Sequence, residues 1–156
     1  GIDSTYKEYV FIFNNIHPST DNADFTFNMS TDGGSNYNVT KTSTFFNAYA
    51  DEGDSDTSLN YVTGSDLAQG TGVQRLFGIG GDNDQNSCGT LHLFDPSNTT
   101  FVKHFIFVGN DCDPGDYSTS RFVAGYANTT SAINAIQFKF ASGNIESGIF
   151  KLYGVS

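Results

Sequence analysis

A chain of 156 residues is one domain of ordinary size, long enough to bury a core without metal or many disulfides to staple it. Its 17 acidic against 7 basic side chains, a net charge of -10, exclude a partner held by phosphate contacts, whether nucleic acid or an anionic membrane. With 15 Phe and 8 Tyr it carries too much core-forming material to stay disordered, while 47 Asn, Ser and Thr, 17 Gly and only three Glu disfavour helices and favour strands and turns.

The first strand signal is residues 8 to 13, Glu-Tyr-Val-Phe-Ile-Phe, an unbroken apolar run of the kind expected where both faces are covered, hence a central strand. Phe25, Phe27 and Met29 then alternate with Asp24, Thr26 and Asn28, one face for the core and one for water. Thr31 to Asn36 reads as a turn into a strand near 37 to 50. Further strands are expected near 58 to 62, 73 to 79, 89 to 94, 101 to 108, 121 to 127, 133 to 140 and 148 to 153, separated by Gly, Asp, Asn, Ser or Pro clusters. A turn at Asp95 to Asn98 makes 89 to 108 the clearest hairpin, with Phe105, Phe107, Phe138 and Phe140 directed into the core. Nine or ten short strands without helical periodicity predict a single all-β domain over 1 to 156, an antiparallel β-sandwich with a jelly-roll-like winding. No apolar stretch approaches the roughly 20 residues of a bilayer span, and the chain starts at Gly1 with no signal-peptide pattern.

Chemistry-bearing residues are sparse. His92 and His104 sit on the two arms of the expected hairpin, nearly opposite each other, and His17 stands apart. Cys88 and Cys112 flank the same hairpin and are candidates for a disulfide if the 109 to 113 loop folds back; otherwise they are two free thiols. Three acidic loops, 51 to 56, 82 to 86 and 111 to 116, carry hard oxygen ligands. Asp82, Asp84 and Asn86 match the opening of a calcium loop, but Ser87 and Leu93 stand where the motif needs Gly and Glu, so at most a weak calcium site is expected and no other cofactor. No G-x-S-x-G elbow and no opposed pair of carboxylates stands out, which points away from an enzyme.

Several blocks together resemble a family of small virion-associated structural proteins encoded by marine tailed bacteriophages. They are Ile2-Asp3-Ser4-Thr5-Tyr6, Ser30 to Tyr37, Leu91 to Ser97, Phe101 to Phe105, Gly125-Tyr126 with Asn128 to Ile133, and the closing Phe138 to Ile145, Ser147-Gly148 and Leu152-Tyr153-Gly154. The resemblance implies a non-enzymatic component of the particle surface, in the tail, its fibres or a capsid decoration. Its partners would be further copies of itself and other virion proteins, with no catalytic residues to carry over. It also implies a strand-like segment before Ile2, without which one sheet edge needs cover from a neighbour. The competing expectation is a lectin-like domain for host-surface glycans, with Tyr49, Tyr61, Tyr117 and Tyr126 as stacking platforms beside the acidic loops.

Overall fold

The computed structural model describes residues 1 to 156 and contains ten strands and no helix. They are β1 (Glu8–Pro18), β2 (Ala23–Ser30), β3 (Lys41–Asp51), β4 (Thr57–Tyr61), β5 (Gln74–Ile79), β6 (Ser87–Phe94), β7 (Lys103–Cys112), β8 (Tyr117–Ala127), β9 (Ala135–Phe140) and β10 (Ile145–Val155). A seven-stranded sheet in the order β10-β1-β6-β7-β8-β3-β4 packs against a three-stranded sheet in the order β5-β2-β9, and every pairing is antiparallel. The sandwich is as expected, whereas the seven-to-three division is more lopsided than the eight-stranded double Greek key of a jelly roll.

Aromatic rings from both sheets interdigitate between them. Phe13, Phe105 and Phe107 come down from the large sheet, Phe25, Phe27 and Phe77 rise from the small one, and all six are fully buried. Edge-to-face pairs such as Phe77 with Phe107 at 4.9 Å and Phe27 with Phe105 at 5.1 Å join the layers. Gly89 and Gly109 face each other across β6 and β7 because a Cβ on either would fall within 3 Å of both the Phe77 and Phe107 rings. Phe140 is buried, and Phe138 packs against the cluster partly exposed.

Three local expectations are corrected. First, β1 is covered on one face only: Tyr9, Phe11 and Phe13 are buried while Val10 and Ile12 remain half-exposed. The strand continues past Asn14 because a bulge, with Asn15 at φ 53°, lets Ile16 keep its place in the core. Second, the polar face of β2 is not in water. Thr26 and Asn28 are buried, with the Asn28 amide donating to the Tyr37 and Thr71 carbonyls of the loops folded over this sheet. Third, the β6 to β7 connection is longer than a tight turn, since the Asn98 side chain accepts from the Thr100 and Phe101 amides and draws them into the loop. The register therefore sets His92 opposite Ile106, and His104 opposite Tyr126 on β8, so the two histidines are not a cross-strand pair.

Candidate functional site

The outward face of the seven-stranded sheet has no layer on it. Pairing across the strands puts Ile12, Thr90, Val108, Phe122, Phe46 and Tyr61 in one row, and Tyr153, Val10, His92, Ile106 and Ala124 in the next. Phe46 and Phe122 lie flat on one another, 4.9 Å apart with planes 4° from parallel. None of the chain's Asp residues projects from this face, and its formal charges are Glu8, which pairs with His92, and Lys151. The largest surface hollow, about 430 Å³, lies here, lined by Ile12, Thr90, Val108 and Phe122 among others. For a chain of net charge -10, this face is sparsely charged and rich in exposed apolar side chains.

The acidity is concentrated elsewhere, and the fold brings the three acidic loops together at one end of the sandwich. Asp51, Glu52, Asp111, Cys112 and Asp116 line one cleft of about 250 Å³, and Tyr49, Asp56, Asp113 and Tyr117 line an adjacent one of about 180 Å³. Within them most carboxylates shape their own turns. Asp51 accepts from the Ser55 hydroxyl and from the Ser55 and Asp56 amides, which holds its carboxyl below the usual range. Asp113 accepts from the Gly115 and Tyr117 amides. Beneath this end, fully buried Asp111 meets Arg121 through two hydrogen bonds of 2.5 and 2.7 Å; burial pushes its carboxyl up and the guanidinium partly offsets that.

Asp82, Asp84 and Asn86 are all exposed on the turn before β6. No group of three or more His, Cys, Asp or Glu side chains has metal-holding geometry. The loop is closed instead by Gln85, the residue between them. Its side chain accepts from the Asp82 amide and donates to the Asp113 carbonyl and the Asp116 carboxylate, and its own carbonyl accepts from His17 Nδ1 at 2.7 Å. Gly80 is required beneath it, since a Cβ there would stand 1.7 Å from Gln85 Oε1. The sequence reading missed Gln85; the one available signal was a lone Gln inside an otherwise acidic turn.

Cys88 and Cys112 are free. Strand β7 runs on through Cys112 instead of folding back, so Cys88 faces Asn110 and Cys112 faces Ser118, and the disulfide alternative is replaced by two thiols. Burial and the surrounding carboxylates raise the Cys112 thiol above its ordinary value. The histidines serve three separate places: His17 in a polar cleft near Glu146, His92 beside Glu8, and His104 beside Tyr126. Of the four tyrosines, the fold joins Tyr49 and Tyr117 edge to face at 5.5 Å, with the Tyr117 hydroxyl donating to Asp56; Tyr61 donates to Asp66 and Tyr126 lies away from the acidic end. No family profile, no curated protein and no solved structure matches this chain.

Proposed function

We propose that this protein is a non-enzymatic structural component of a bacteriophage particle, on the virion surface as a tail or fibre subunit or a capsid decoration, working by packing against its own copies and other virion proteins. The observation that carries this is the uncovered outer face of the large sheet. Runs such as Phe105-Ile106-Phe107-Val108 have the composition of strands covered on both sides, yet this chain covers only one side. Ile106 and Val108 are 45% exposed, and neighbouring subunits would supply the second cover. The acidic loops at one end of the sandwich would keep the assembled surface soluble and non-adherent. The ordered sequence blocks from Ile2 to Gly154 support the phage assignment specifically. Mass spectrometry of purified particles from the encoding phage tests it: the chain is expected at stoichiometric abundance, and its absence from infectious particles would overturn the proposal.

A glycan-binding role is supported by one arrangement, the Tyr49 and Tyr117 rings beside Asp56 and Asp113, an aromatic platform with carboxylates within reach of sugar hydroxyls. A glycan array probed with the protein, with and without millimolar calcium, tests this second role. Binding lost in Tyr117→Ala supports it, and no binding in either condition removes it.

A further inference from the structure

The sandwich has four sheet edges, and three of them are short or covered. β4 has five residues, and where it stops the segment through Leu67 and Gly70 takes over, bonding the amides of Ser43 and Lys41 on the same β3 edge. β5 and β9 have six residues each, and β5 is further interrupted by a register shift against β2. The fourth edge, β10, differs in every respect. It has eleven residues, all exposed; it pairs with β1 on one side only, and its other side is free for its whole length. Long apolar edges are normally blunted by Pro, by several Lys or by repeated bulges. Here Glu146, Lys151 and two register shifts between Ile145 and Ile149 interrupt it, and the stretch from Ile149 to Val155 carries Lys151 alone.

The side chains of β10 are those of an unfinished core. On the inner face Phe150 meets the rings of Phe13, Phe25 and Phe138 at 5.5, 6.0 and 6.1 Å, yet it and Leu152 remain 42% and 50% exposed. On the outer face Ile149, Tyr153 and Val155 are equally open. Between β10 of one sheet and β9 of the other, the sandwich is open at its side.

We propose that β10 pairs antiparallel with β10 of a second copy of this chain, joining two seven-stranded sheets into one continuous fourteen-stranded sheet. Charge selects this occupant. Two molecules of net charge -10 repel across their acidic loops, but β10 carries one Glu and one Lys and is neutral, so like copies can meet along it. Symmetry fits as well, because a two-fold axis normal to the sheet sets inner row against inner row and covers Phe150 and Leu152 of both copies. With the axis at Phe150 all eleven residues pair, and at about 3.3 Å each, across a sandwich side roughly 20 Å deep, they give about 700 Å² per copy, near the ~800 Å² per partner of a standard stable interface; with the axis at Leu152 only residues 149 to 155 pair and the area falls to about 460 Å². The axis passes through Phe150 or Leu152 and not through Lys151, which would otherwise face its own copy. Lys151 then lies opposite Ile149 or Tyr153 of the partner copy. This contact is made along the free backbone edge of β10, whereas the outer-face packing of the assembly role centres on Ile106, Val108 and Phe122, so the two are separated by variants at Val108.

Sedimentation velocity of the whole chain from about 5 to 200 μM tests the pairing, with thermal melts as the folding control. The parent is expected to be a dimer. The double variant Ile149→Lys/Tyr153→Lys, substituted at exposed positions, is expected to stay folded and become monomeric, because either register now puts Lys opposite Lys151. Adding Lys151→Glu to it is expected to restore the dimer, a rescue that general destabilisation cannot imitate. A parent that stays monomeric at 200 μM overturns the proposal. So does a dimer that survives the double variant, or one dispersed only by Val108→Lys on the outer face.

Discussion

Lys41 lies at the meeting of the two sheets with its side chain fully buried, donating to Asn28 Oδ1 at 2.6 Å and to the Val39 carbonyl at 2.8 Å, with no carboxylate to neutralise it. Burial therefore lowers its ammonium to about 8. The unfolded chain keeps that proton up to about 10.4, so between the two values folding releases a proton and stability rises with pH, by at most about 1.4 kcal/mol per unit for one such group. Lys103, also buried and also lowered, acts in the same direction. Cys112, raised by burial and nearby carboxylates, opposes this from about pH 8.5 equally in parent and variant, and Tyr9 and Tyr61, raised by burial and by the bond to Asp66, oppose it above about pH 10. Urea midpoints at pH 7.5 and 9.5 should rise in the parent and rise distinctly less in Lys41→Gln, which keeps a donor for Asn28; equal rises in both would contradict this account of Lys41. None of it was legible beforehand, since a Lys between Thr40 and Thr42 gives no sign that loops from elsewhere will close over it.

At the scale of elements, all ten strands were visible because alternation and turn residues are local signals, whereas registers and covers were not. The hairpin of β6 and β7 shows why: the Asn98 side chain lengthens the loop and shifts the register, separating His92 from His104. The acidic turn before β6 shows the same for the candidate site. The exposed alternate positions Asp82, Asp84 and Asn86 carry the calcium-loop pattern, while buried Gln85 between them makes the hydrogen bonds that tie the loop to the 113 to 116 turn. Gln85→Ala should cost about 1–3 kcal/mol, since it removes a buried side chain together with its three hydrogen bonds, while Asp82→Asn/Asp84→Asn stays within about 0.5 kcal/mol. Chemical denaturation compares them, and the reverse ranking would return the loop to its acidic residues. Strand β7 offers a second contrast within two residues. Phe107→Ala should lose about 3–5 kcal/mol because Phe107 is fully buried against Phe13 and Phe77, whereas Ile106→Ser, on the outward face, should lose under about 1 kcal/mol. Comparable losses at both positions would mean that the outward face is already covered in the isolated chain.

For the whole molecule, the distribution of charge and apolar surface is the informative property. The chain exposes 7590 Å², close to the about 7,700 Å² expected of a compact monomer of 16.9 kDa, so its open faces are not a sign of loose packing. They follow from the lopsided sandwich, in which three strands cannot cover seven. Part of this was written in the sequence: the continuous run at 8 to 13 called for cover on both faces, and only the partner supplying the second cover was missing from view. The proposed role as a packed subunit of a phage particle rests on that uncharged face being buried in use. Cryo-electron microscopy of intact particles measures it directly. The account predicts density for this sandwich repeated with the particle's symmetry, the face bearing Ile106, Val108 and Phe122 against a neighbour and the acidic loops toward solvent. A bound sandwich with that face turned to water, or particles without the sandwich, would contradict it.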